Sequence, residues 1–169
     1  MKTIIYNDDY LDKEDINKEV KRAKAIIINS NDELLLASTN NNYYLVGGHV
    51  EDNESDEVCL RREILEETGI DLEIKDIIPY FVVEYLCKDY PNAGDNTNYI
   101  ANYYVVSCDE KPNLDNIELT EGEKEGGFAL EYIHKDKVMN VLEESLNTCT
   151  KKNVVRDTID AVSEYLRQN

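Results

Sequence analysis

Glu63, Glu66 and Glu67 lie at i, i+3 and i+4 within a stretch, roughly Glu54 to Thr68, whose apolar positions recur with helical period. At about 100° per residue their carboxylates fall in one sector of roughly 100°. Asp56 and Cys59 point the same way one or two turns earlier, while Val58, Leu60, Ile64 and Leu65 fill the remaining arc and are expected to face a core. Such a stripe is unfavourable by itself. Like charges at i, i+4 cost about 0.2–0.5 kcal/mol per exposed pair. The C-terminal half of a helix disfavours each anion by roughly 0.3–1 kcal/mol more. Arg61 and Arg62 relieve only part of this. A broken local rule without visible compensation marks a functional site, and a divalent cation would supply the compensation. Oxygen-only ligands suit Mg²⁺, or Mn²⁺ in its place, rather than zinc. The plainer alternative is a solvated acidic face in a Glu-rich chain.

The surroundings of this helix decide between the two. From Gly48 the segment reads Gly48-x5-Glu54-x7-Arg62-Glu63-Ile64-x-Glu66-Glu67-x-Gly69-Ile70. It resembles the Nudix box, with all nine specified positions present over 23 residues. The resemblance implies that Glu63, Glu66 and Glu67 bind metal and that Arg62 orients the adjacent glutamate. It places Glu54 in the loop near the helix start, Gly48 at the sharp turn leaving a strand, and Gly69 at the helix end. It also implies water attack on a diphosphate bridge in a small nucleotide-like substrate, with a carboxylate taking the proton. Glu121, Glu123 and Glu125 are candidates for that carboxylate, and Glu125 is preferred because it directly precedes Gly126-Gly127. Gly48 and His49 are candidates for substrate contact. Two departures concern substrate: Val46 stands where many members have proline before the Gly-Gly pair, and tryptophan is absent. The rival reading on the same fold is a regulatory module that binds a nucleotide without cutting it.

The elements that must position these residues can also be read. Ala23–Ile28 and Leu34–Leu36 flank Asn29-Ser30-Asn31-Asp32 and predict a hairpin. Tyr43–Val46 predicts a short strand ending at Gly47-Gly48. Asn53 or Ser55 can cap the acidic helix and Gly69 ends it. Further strands are expected at Ile74–Ile78, Tyr80–Leu86, Tyr99–Val106 and Phe128–Ile133, and helices at Lys135–Leu146 and Val154–Gln168. Loops at Lys88–Asn98 and Asp109–Gly127 are expected to set specificity, and most of the tyrosines to pack within the sheet. Residues 1–20 suggest an edge strand and a turn. This interleaving predicts an α+β fold, and the resemblance implies a Nudix-type α/β/α sandwich with a mixed central sheet: one domain over 1–169, with its core at about 20–145 and a terminal helix at 150–169. The helix could pack on its own domain or in a homodimer.

Composition sets outer limits. The chain has 169 residues, 41% of them hydrophobic, enough for one core. With 36 acidic against 18 basic residues the net charge is −18, which argues against DNA, long RNA and anionic membranes as partners. No apolar run reaches bilayer length. The acidic N-terminus is unlike a signal peptide. Four scattered cysteines with two histidines fit reduced thiols in a cytoplasm better than zinc or disulfides.

Overall fold

The computed structural model describes residues 1–169 and shows one mixed sheet between helical layers. The strands are β1 (Lys2–Tyr6), β2 (Lys18–Ile28), β3 (Glu33–Thr39), β4 (Asn42–Tyr44), β5 (Gly47–His49), β6 (Phe81–Cys87), β7 (Thr97–Ser107) and β8 (Ala129–His134). The helices are α1 (Asp56–Thr68), α2 (Glu121–Glu125), α3 (Lys135–Ser145) and α4 (Lys152–Gln168). The main path runs β1-β6-β7-β2-β3-β4, with β5 paired to β2 and β8 to β3. β2–β7 and β1–β6 are parallel, and the other pairs are antiparallel. The expected α+β sandwich is therefore present.

Strand β2 runs through the middle, and its period of two divides the core. Ala23, Ala25 and Ile27 pack with Cys59, Leu60 and Ile64 of α1. Ile26 and Ile28 face the other way, toward Val138 and Leu142 of α3 and Ala161 and Val162 of α4. Leu34-Leu35-Leu36 on β3 read as an unbroken apolar run because the strand is covered on both faces. The terminal helix α4 packs on its own domain.

β2 also marks where the sheet forks. On one side it pairs with β7 along its whole length. On the other it pairs with β5 through residues 22–24 and with β3 only through residues 27–28. At the fork the chain passes from β4 to β5 through buried Leu45 and Val46. Their carbonyls must find donors out of water. Ala25 N–H donates to Val46 O at 2.9 Å. The Lys24 ammonium donates to Leu45 O at 3.1 Å and to Gly47 O at 2.5 Å. Gly47 has φ +127°, and a Cβ there would lie 2.2 Å from Ala23 O, so only glycine fits.

Three expectations fail, each for a local reason. No strand forms at Ile74–Ile78: Asp76 adopts φ 53°, a left-handed conformation that a continuing strand cannot contain. Val58 and Leu65 do not reach the core and are 57% and 39% exposed, since the α1 face against the sheet is narrower than the apolar arc. The stretch Asp109–Gly127 is not wholly loop. It carries a 3₁₀ turn at Leu114–Asn116 and α2, opened by Thr120 and Glu123 in a capping box.

The N-terminal and C-terminal elements hold each other. Lys2 Nζ lies 3.2 Å from Glu164 of α4. Tyr6 of β1 stacks on Tyr85 at 4.8 Å, and the Tyr85 hydroxyl donates to Asp157 Oδ1 at 2.8 Å. Burial raises the Asp157 pKa to about 6, against partial relief from the Tyr85 hydrogen bond, Lys24 and Arg22. A carboxyl whose folded pKa is raised favours the folded state below its unfolded value of 3.8, and that contribution is lost as pH rises through about 6. Asn at this position can still accept from Tyr85 but does not ionise. Asp157→Asn should therefore remove roughly 3 kcal/mol of stability loss between pH 4 and 6. Parallel melting curves for both proteins across that window would refute the assignment.

Candidate active site

The cavity at the sheet fork has a volume of about 510 Å³ and a lining that is almost entirely polar. Helix α1 forms one wall. Ser55 Oγ caps its start, accepting from Val58 N–H at 3.3 Å. Gly69 ends it at φ 70°, donating to Leu65 O at 2.8 Å. These two stops set the register that turns Glu63, Glu66 and Glu67 toward β5.

Each of the three glutamates has its own partner. Glu67 is 7% exposed and accepts from Gly47 N–H at 3.3 Å. Burial raises its pKa, and the charge of Lys24 opposes the rise. Lys24 is shifted the opposite way, downward, by its own desolvation, with Glu67 as the main counterweight. Glu63 meets Arg62 Nη1 at 2.7 Å, and Glu66 meets the same nitrogen at 3.3 Å. Desolvation raises the Glu66 pKa, partly against Arg62. The other side of the Arg62 fork donates to both oxygens of Glu54 at 3.0 Å, which holds that carboxyl below its usual range. Arg62 Nη2 also reaches His49 O at 3.0 Å. One guanidinium thus joins the β5 loop, Glu54 and two stripe glutamates, a planar bidentate arrangement that a lysine could not copy.

Other predicted residues fall in different places. His49 lines the cavity, and partial desolvation with Arg22 and Lys24 lowers its pKa. Gly48 lies directly under Glu63, where a Cβ would stand 2.2 Å from Glu63 Oε1. Cys59 is buried, its thiol pushed up to about 12 by desolvation, so it packs rather than reacts. Asp56 turns away from the cavity to accept from Asn102 and Tyr104. Glu125 is exposed and lies outside the cavity lining, because the α2 turn points it to solvent. Glu118 and Glu123 line the cavity in its stead. Glu118 is docked by its backbone, whose N–H donates to Glu66 O at 2.7 Å. Nothing from 88–98 reaches the cavity, so of the two expected specificity loops only the second contributes.

Sequence reading passed over Arg22, Lys24, Asn42 and Lys151, which also line the cavity. A visible signal existed for one of them: a lysine inside the apolar run Ala23–Ile28 cannot stay charged in a core without a role. Asn42 and Lys151 carried no such signal, since they meet only across more than 100 residues of chain.

The donor set suits a hard divalent cation. It consists of carboxylate oxygens, one of them desolvated and penalised for its charge until a cation arrives. With each carboxylate drawn to its own partner, no three acidic, His or Cys side chains cluster tightly enough to chelate as they stand. Glu63 and Glu66 would turn from Arg62 by side-chain rotation to do so.

The NUDIX domain family model matches residues 18–144, three quarters of the chain. The chain belongs to the Nudix family. Similar solved structures include a NUDIX hydrolase from Nitrosomonas europaea, 18% identical with a TM-score of 0.60, covering 89% of this chain and 90% of that one. The dihydroneopterin triphosphate pyrophosphohydrolase of E. coli is 12% identical with a TM-score of 0.58, covering 88% and 96%. The MutT protein of Methanosarcina mazei Go1 is 19% identical with a TM-score of 0.55, covering 89% and 97%. At these identities the likeness concerns the Nudix fold. No curated protein matches the sequence. No helix is long and apolar enough to cross a membrane.

Gly48→Ala isolates the metal-binding geometry from the fold. The atoms nearest the added Cβ are the flexible end of Glu63, so the melting temperature should fall by less than the equivalent of about 1 kcal/mol. Mn²⁺ affinity by calorimetry should weaken at least about tenfold, the scale on which ligand positioning acts. Unaltered Mn²⁺ uptake would remove Glu63 from the ligand set.

Proposed function

We propose that the chain is a Mg²⁺-dependent pyrophosphohydrolase cleaving the diphosphate linkage of a small nucleotide-like molecule by attack of water. The observation that carries this reading is the α1 stripe: Glu63, Glu66 and Glu67 on one cavity wall, two of them oriented by Arg62 and the third desolvated against Gly47. These three residues would hold Mg²⁺, or Mn²⁺ in its place. A bound ion of this kind neutralises phosphoryl oxygens and lowers the pKa of water.

The chain's own groups supply the rest. Gly48 keeps the backbone flat beneath Glu63, leaving room for a phosphate beside the carboxylates. Arg62 remains fixed on Glu54 when Glu63 and Glu66 turn away, so the β5 loop stays in place. A carboxylate must accept the proton of the attacking water. Glu118 suits this better than Glu125 or Glu123. It lines the cavity, and its carboxylate is in no hydrogen bond or ion pair, whereas the Glu123 carboxylate is held by Thr120 N–H and Oγ1, both at 2.8 Å.

The purified protein with Mg²⁺ can be tested on ADP-ribose, nucleoside triphosphates, dinucleoside polyphosphates and nucleotide sugars. Turnover is expected with at least one class. Glu66→Gln and Glu67→Gln should each lower kcat by about a hundredfold or more with the fold intact. Glu118→Gln should lower kcat by about a hundredfold, while Glu125→Gln keeps at least half of it. Melting shifts without cleavage across the whole panel would instead identify a nucleotide-binding regulatory module.

A further inference from the structure

The cavity has an acidic pole and a basic one, and the diphosphate reading uses only the acidic pole. Arg22 and Lys24 of β2 and Lys151, the residue that opens α4, line the same cavity as the glutamates. In a chain of net charge −18, three cations lining one cavity call for a ligand. None of them takes part in any ion pair of the structure. Arg22 Nε is wholly buried with no hydrogen-bond partner, its guanidinium 5.9 Å over the Tyr99 ring. An orphaned buried donor of this kind is costly unless something accepts from the group. The Lys24 ammonium serves two carbonyls and keeps a third N–H free.

Lys151 is held in place from below. Asn42, only 3% exposed, accepts from Lys151 N–H at 2.6 Å and Thr150 N–H at 2.9 Å. Its amide donates to Thr39 O at 2.8 Å and Thr150 Oγ1 at 3.0 Å. A side chain so fully satisfied fixes the start of α4 to the cavity rim. Lys151 also lies beyond residue 144, where the family match ends. Glu67, Glu63 and Asp157 are the carboxylates that bear on Lys24. Asp157 is occupied by the Tyr85 hydroxyl, and Glu67 belongs to the acidic pole. None of the three carboxylates forms an ion pair with Arg22, Lys24 or Lys151.

We propose that Arg22, Lys24 and Lys151 form a second anion subsite, which takes a phosphate or carboxylate of the substrate lying beyond the scissile diphosphate. Lys151 sets the preference, and Asn42 is the positioning residue. The subsite deepens the hydrolase reading and rests on it for the identity of the first anion, but its test needs no turnover.

The probe is inorganic phosphate, titrated in EDTA at low ionic strength and followed by NMR shifts of the β2 and α4 amides. Without a divalent ion the glutamates repel phosphate, so binding reports the basic pole alone. Wild-type protein should bind saturably. Lys151→Glu, at an exposed position that the fold tolerates, should bind at least about tenfold more weakly, and Lys151→Arg should retain binding. Asn42→Ala should weaken binding about as far as Lys151→Ala does. Failure of the wild type to bind, or equal affinity in Lys151→Glu, overturns the subsite. If the enzyme cleaves a pair of substrates differing by one phosphate, Lys151→Glu should also lose preference for the more anionic one, mainly through KM. Phosphate binding with no cleavage of any diphosphate overturns the hydrolase reading and leaves the subsite standing. Cleavage with no Lys151 dependence does the reverse.

Discussion

Gly47 is where the structure is most constrained. Its carbonyl accepts from Lys24 and its N–H donates to Glu67, so one glycine peptide links the central strand, the loop strand β5 and the helix α1. Neither charge would survive burial alone. An isolated buried lysine or glutamate costs far more than a surface ion pair returns, and each normally neutralises instead. Their opposite shifts in pKa record that conflict. What keeps both side chains is the fork itself. Two strands part there, carbonyls are left without sheet partners, and a charged donor is the side chain that can reach them. The cavity is a consequence of the same parting.

Arg62 solves a second conflict nearby. The helix stripe repels itself and lies at the wrong end of the macrodipole. A single guanidinium bound to Glu54, Glu63 and Glu66 lowers that repulsion and orients the carboxylates. The arrangement is held ready without being closed. Glu63 and Glu66 share a single Arg62 nitrogen, at 2.7 and 3.3 Å. Glu54, with both oxygens engaged, stays behind to hold the loop.

What the sequence made legible depended on distance along the chain. The stripe, its N-cap and the terminating Gly69 lie within one short segment, where helical period and cap chemistry act locally, and all were readable. The hairpin over Asn29–Asp32 was readable for the same reason. The capping box at Thr120–Glu123 was also local and visible, yet the glycines around it suggested loop. The parallel pairing of β2 with β7 brings residues near 20 beside residues near 100 and leaves no local trace. The pairing of β1 with β6 is the same. Lys151 reaches the cavity only because Asn42 binds the chain entering α4, a contact of two unremarkable polar residues. Glu125 lies outside the cavity for a finer reason. One helical turn decides which of three neighbouring glutamates faces inward, and the spacing of glycines does not carry that information.

The separation of the two poles follows from the pleat of β2. Side chains at 23, 25 and 27 pass beneath α1, and those at 22, 24 and 26 pass toward α4. A cation on the even positions leaves the strand on the face away from α1. The poles therefore face each other across the fork without collapsing into ion pairs, although the cavity they share is small. Only the Lys24 ammonium, reaching the carbonyls at the fork, sits near enough to Glu67 to feel it strongly. The cleft therefore presents carboxylates on its α1 side and basic side chains from β2 and the start of α4.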